Sequence, residues 1–187
     1  MRVLRFDDIC INSNMRNNID IATYANEKFG CRVLFCISPL VHTDFNERVY
    51  PKIFNAYSDF RHFFKVENLG IPEFPSWIIP ASHGLFHIDH RLLTKEVQEV
   101  SILASCSLAK SKIFVPPFNK WNKFTEEICL ENDINLVKFE DGWRCCEYNK
   151  YDPSVGNYYI HAREFTLESF KEWAEDLNRN INGLSSL

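Results

Sequence analysis

Apolar residues along this chain fall into short continuous runs separated by longer stretches in which they recur every third or fourth position. The runs at Val3–Phe6, Cys31–Ile37, Trp77–Pro80, Lys112–Val115, Ile134–Phe139 and Tyr158–His161 predict strands. Between the first two, Ser13–Phe29 repeats at helical spacing through Ile21, Tyr24, Ala25 and Phe29 and stops at Gly30, which predicts a helix. Leu93, Val97, Val100, Ala104 and Leu108 mark a second helix, Thr125–Asn132 a third, and Leu167, Phe170, Trp173 and Leu177 a terminal one. Pro39–Pro75 mixes aromatics, charges and prolines and predicts only short helices and loops. Strands that alternate with helices imply parallel pairing through crossover helices, in an open sheet or a barrel. In such folds chemistry collects at the carboxyl ends of the strands. Those ends here carry Asp7, Asp8, His83, His87, Pro117, Trp143 and His161.

Composition narrows the picture. With 187 residues, 45% hydrophobic and 14% aromatic, the chain is expected to form one compact domain over residues 1–187 rather than a disordered one. Its 21 basic and 25 acidic residues give a net charge of -4, and the basic ones are scattered, so no nucleic-acid partner is expected. No segment offers the apolar length of a membrane span, and Asp7-Asp8 interrupts the apolar stretch an export signal would need. The expected location is therefore cytoplasmic, and the oligomeric state stays open. Seven cysteines without a C-x-x-C pair read as reduced thiols, mostly buried as small hydrophobes.

The candidate chemistry lies in two segments. His83 and His87, spaced i, i+4, can share one side of a helical turn within reach of a single tetrahedral ion. Asp7-Asp8 offers one carboxylate as third ligand and leaves the other as a general base; alone, such a pair reads as a cap or a solvated acidic patch. Three protein ligands and one open position make a catalytic rather than a structural zinc site. Gly84 stands where the His-Glu-x-x-His metalloproteases carry their base, which sets that family aside. His90 can be read as a ligand in place of His83, as a partner behind the ligands, or as a surface residue; the surface role is the expectation. Trp121 and Trp143 are candidates for a sugar-stacking platform, whereas Phe86 reads as core.

These residues resemble the motifs of the NodB-homology polysaccharide deacetylases. Phe6-Asp7-Asp8 is similar to their Thr-Phe-Asp-Asp opening, and His83-Gly-Leu-Phe-His87 to their His-Ser/Thr-x-x-His motif. Phe114-Val-Pro-Pro-Phe118, Glu140-Asp-Gly-Trp143 and Tyr159-Ile-His161 resemble the third, fourth and fifth motifs, in the family's order. The resemblance implies an α/β fold of the distorted (β/α) barrel type. It implies zinc, or another divalent transition metal, on Asp8, His83 and His87, with Asp7 as general base and His161 as general acid. The backbone N–H of Phe118 would face the oxyanion. The implied activity is metal-dependent removal of an N-acetyl group from a sugar in a surface polysaccharide or in its nucleotide- or lipid-linked precursor. A carbohydrate-binding protein without turnover, and a deformylase or O-deacetylase, are the alternatives. Three departures stand out. Gly84 replaces the Ser or Thr that braces the histidine loop, so another contact must orient the ligands. Val115 replaces the arginine that orients the base; Arg5, Arg144 and Arg163 are the candidate substitutes, and the sequence does not choose among them. The chain is also short for the family, which predicts trimmed loops and an open groove.

Overall fold

The computed structural model describes residues 3–9, 14–39, 72–138, 143–145, 157–161 and 165–184. Seven parallel strands make one sheet: β1 (Val3–Ile9), β2 (Arg32–Ile37), β3 (Ile78–Ser82), β4 (Ile113–Phe114), β5 (Asn135–Leu136), β6 (Trp143–Cys145) and β7 (Asn157–His161). Their spatial order is β5-β4-β3-β2-β1-β7-β6, so the strands follow one another in chain sequence and β7 returns to β1. That is the winding of a (β/α) barrel. Among the described residues β5 and β6 form the two ends of the order, which is the distortion expected for this barrel type. The helices are α1 (Met15–Phe29), α2 (Lys95–Leu108), α3 (Lys123–Glu131) and α4 (Leu167–Leu184).

Local chemistry sets the boundaries. The Asn14 side chain caps α1 by accepting from the Asn17 N–H, and Gly30 closes the helix at φ 63, a left-handed turn that glycine adopts without a Cβ penalty. Thr94 caps α2, so Leu93 precedes that helix rather than opening it. Asn122 and Thr125 form a reciprocal capping box, which starts α3 at Lys123 instead of Thr125. β6 was not predicted: it is three residues long on the sheet's edge, too short to carry a periodic signal. Phe139, Glu140–Gly142, residues 40–71, Arg163 and the side chains of Trp143 and Arg144 lie outside the described residues.

The strands separate two kinds of interior. On the outer face Leu4, Phe6, Val33, Phe35, Tyr158 and Ile160 pack under Ile21, Ala22, Ala25, Phe170 and Ala174 of α1 and α4. On the inner face a smaller cluster of Leu34, Cys36, Ala81 and Val115 lines the barrel. Arg5 and Asp7 alternate with Leu4 and Phe6 along β1, and both are buried. Phe35 is fully enclosed, stacked on Phe6 with ring centroids 5.2 Å apart and meeting Phe74 edge-on at 5.3 Å. Phe35→Ala is expected to cost about 3–5 kcal/mol of unfolding free energy, measurable from the urea midpoint.

Candidate metal centre and active site

A strand of regular period would aim Asp7 and Asp8 at opposite faces of the sheet. β1 is not regular there. Phe6 pairs with Phe35 and Ile9 with Ile37, so β1 spends one more residue than β2 over the same span, and Asp8 adopts φ 60. This bulge leaves Asp7 in register with His161 on β7, close to Arg5, and swings Asp8 toward the end of β3. Aspartate is among the few residues that enter the left-handed region at modest cost.

The end of β3 brings the histidines to Asp8. His83 Nε2 lies 3.8 Å and His87 Nε2 3.1 Å from Asp8 Oδ1. One ligand atom from each of Asp8, His83 and His87 falls within 4.8 Å of the others. His83 is held on three sides: its N–H donates to Ile37 O, its carbonyl accepts from the Ser38 hydroxyl, and its ring Nδ1 sits 2.7 Å from Val115 O. A carbonyl only accepts, so Nδ1 carries the proton and Nε2 offers its lone pair to the Asp8 side. Burial lowers the His87 pKa to about 4, helped by His83 and opposed by Asp8 and Asp7, so His87 is neutral at pH 7. Two imidazole nitrogens and one carboxylate oxygen make a donor set that fits a divalent transition metal and leaves a four-coordinate ion one further position.

Asp7 stands directly behind. Its Oδ2 accepts from Arg5 Nη2 at 2.7 Å. Burial pushes the Asp7 pKa up, but the charge and hydrogen bond of Arg5, with His83 and Cys36 adding, hold it below the ordinary carboxylate value. Asp7 is thus ionised at neutral pH although only 4% exposed. Of the three candidate substitutes for the loop arginine, Arg5 is the one the described structure places against Asp7; its guanidinium lies over the Tyr159 ring, 4.7 Å from the centroid. Val115 acts through its backbone, as the acceptor for His83, while its side chain packs in the inner cluster.

The segment after β4 forms the opposite wall. Phe118 and Asn119 both adopt left-handed φ, 58 and 54, and the Phe118 ring lies 4.3 Å from the His87 ring. The Asn119 and Lys120 N–H groups donate to Pro116 O and Pro117 O, whereas the Phe118 N–H donates to no group among the described residues. Trp121 stands beyond Phe118, its Nε1 donating to Glu126 at 3.2 Å.

His90 is a correction to the expected surface role, because it is fully buried. Its Nδ1 meets Ile88 O at 3.0 Å and its Nε2 the Ser101 hydroxyl at 3.2 Å, and that hydroxyl also accepts from the Leu85 N–H. His90 therefore ties the 83–90 loop to α2. Gly84 has φ +76, and a Cβ there would meet His90 Cε1 at 2.8 Å. The glycine and the histidine fit each other, and together they supply the brace that a Ser or Thr at position 84 would otherwise give. Spacing could not reveal this, since His90 reads as one more polar residue beside Asp89 and Arg91.

No family model matches this chain, and no curated protein does. Solved structures do. A family 4 carbohydrate esterase from Streptomyces lividans in complex with acetate superposes with TM-score 0.56 at 14% identity, over 96% of this chain and 88% of that one. A peptidoglycan deacetylase from Bacillus subtilis gives 0.54 at 12%, over 96% and 84%. The fold is that of the family 4 carbohydrate esterases, the NodB-like deacetylases. A pseudoenzyme of this esterase family from Bacillus anthracis superposes equally well, with TM-score 0.57 at 10% identity, over 96% of this chain and 61% of that one.

The geometry of the histidine loop generates two predictions. Gly84→Ala is expected to lower unfolding free energy by about 1–3 kcal/mol, through strain at positive φ and the collision with His90, measured by urea denaturation. Burial lowers the His90 pKa to about 4, against an ordinary 6.5. The unfolded chain therefore takes up a proton that the folded chain refuses, and stability falls as pH drops from about 6.5 to about 4, by up to about 3 kcal/mol. Urea midpoints at pH 7 and pH 4.5 test this; a His90→Gln variant, less stable at pH 7, should lose less between them.

Proposed function

We propose that the chain is a metal-dependent carbohydrate deacetylase, cleaving the N-acetyl amide of a sugar in a surface polysaccharide or in its nucleotide- or lipid-linked precursor. The observation that carries this reading is the meeting of Asp8, His83 and His87 within 4.8 Å at the strand ends, with an ionised, buried Asp7 beside them. A closed structural metal site would need neither the open fourth position nor a spare carboxylate.

Asp8, His83 and His87 would hold a divalent transition metal, zinc being the ion this donor set suits. Bound there, such an ion supplies Lewis-acid polarisation of a carbonyl and makes water more acidic. The remaining steps fall to the chain's own groups. Asp7 takes a proton from the attacking water as its oxygen bonds to the acetyl carbon. The Phe118 N–H, left without an acceptor among the described residues, faces the oxyanion that forms. His161, in register with Asp7 on the neighbouring strand, gives a proton to the sugar nitrogen as the C–N bond breaks, releasing acetate and a free amine. The buried thiols of Cys36, Cys106 and Cys129 support a reducing, cytoplasmic setting.

A second reading is a carbohydrate-binding protein that has the fold but not the turnover; the Bacillus anthracis pseudoenzyme gives it substance. Metal content and catalysis separate the two. Near one equivalent of zinc is expected in the wild type after mild dialysis and little in His83→Ala/His87→Ala. Asp7→Asn and His161→Ala should each retain the metal but lose about 100- to 10,000-fold in kcat on N-acetylated sugars, read by acetate release. Metal uptake without acetate release from N-acetyl, O-acetyl or N-formyl sugars would favour the binding protein.

A further inference from the structure

Arg5 does more than neutralise Asp7. Its Nη2 carries two hydrogens, and each has its own acceptor: Asp7 Oδ2 at 2.7 Å and Asn119 Oδ1 at 2.8 Å. Arginine only donates, so the amide oxygen of Asn119 must be the atom that faces it. The two N–H bonds of one guanidinium nitrogen diverge in a fixed plane, and the Tyr159 ring beneath the guanidinium supports that plane. The positions of Asp7 and Asn119 are therefore set by one rigid group rooted in the central strand.

Asn119 is the second of two consecutive residues at left-handed φ, and the first is Phe118. Left-handed backbone is uncommon for a bulky aromatic and persists where surrounding contacts over-determine it. Here those contacts are the Asn119 and Lys120 backbone hydrogen bonds and the Arg5–Asn119 bond. The Lys120 ammonium does not reach Asp7's side of the loop; it lies 3.9 Å from Asp89 and over the Phe118 ring.

We propose that Arg5 is a positioning residue that couples the proton acceptor to the oxyanion wall: through Asn119 it fixes the Phe118 N–H relative to the Asp7 carboxylate. This rests on the roles given above to Asp7 and Phe118. The tie belongs to the chemical step rather than to substrate capture, because both atoms it aligns act on the reacting carbonyl. A misplacement of the order of an ångström at such atoms costs about 100-fold in rate.

The test compares Asn119→Ala, Asn119→Asp, Arg5→Met and Arg5→Met/Asn119→Ala. Asn119→Ala is expected to lower kcat about 10- to 100-fold with KM within about 3-fold. Asn119→Asp, which keeps an oxygen acceptor, should recover most of that loss. The double variant should be no worse than Arg5→Met alone, since one tie is cut in both. A readout without turnover is acetate affinity, followed by the visible absorption of the Co2+-loaded chain: it should weaken about 10-fold in Asn119→Ala and recover in Asn119→Asp. Asn119→Ala with wild-type kcat and acetate affinity, or losses that multiply in the double variant, would overturn the proposal. A wild type that binds cobalt and acetate but hydrolyses no N-acetyl sugar ends the deacetylase reading, and the acetate comparison still decides the tie. A chain that takes up no cobalt also overturns the proposal, because Asp7 and the Phe118 N–H then have no reacting carbonyl to act on.

Discussion

The site depends on one irregularity in the central strand. β1 is paired on both sides, to β2 and to β7, so its backbone cannot shift as a whole. The extra residue between Phe6 and Ile9 is the one place where it departs from period two, and Asp8 takes the left-handed turn that this requires. Without the bulge, adjacent carboxylates would serve opposite faces of the sheet. With it, Asp7 remains in the barrel interior beside Arg5 while Asp8 reaches the imidazoles at the end of β3. The strain is local, and the pairing on either side holds it.

Burying charge inside a barrel is costly unless each charge is paired and hydrogen-bonded. On the inner face Arg5 and Asp7 pair with each other at 2.7 Å, and small side chains make the space for them. Cys36, Ala81 and Val115 leave room for a fully enclosed arginine, whose charge opposes the upward pull of burial on the Asp7 pKa and holds it below the ordinary carboxylate value. The neighbouring Cys36 thiol shows the other outcome: burial and the Asp7 charge hold it protonated, its pKa well above the usual value. The cation that pairs with Asp7 comes from β1 itself, two residues before it. Val115 is then free to act as an apolar plug whose carbonyl sets the tautomer of His83.

The histidine loop follows the same economy of space. Gly84 is there because its backbone turns at positive φ and because His90 fills the volume a side chain would occupy. The loop is anchored to α2 through the Ser101 hydroxyl, which the His90 ring and the Leu85 N–H share. The apparent loss of a bracing hydroxyl at position 84 is thus made good from six residues downstream, by a residue whose neighbours Asp89 and Arg91 pair with each other near the surface.

The sequence by itself determined the alternation of strand and helix, the parallel winding, and the candidate ligands and base, because strand runs, helical spacing and His-x-x-x-His are local patterns that survive without coordinates. It missed β6, whose three residues are too few for any period to show. Tertiary structure alone decided which arginine serves Asp7, since Arg5 and Asn119 are 114 residues apart and no spacing rule links them. It also decided that Val115 works through its carbonyl, that His90 lies in the interior, and that Asp7 and Asp8 diverge. Each of these depends on a bulge, a positive φ or a contact between distant strands. Such features come from the pairing and packing of segments far apart in the chain, which local sequence does not encode.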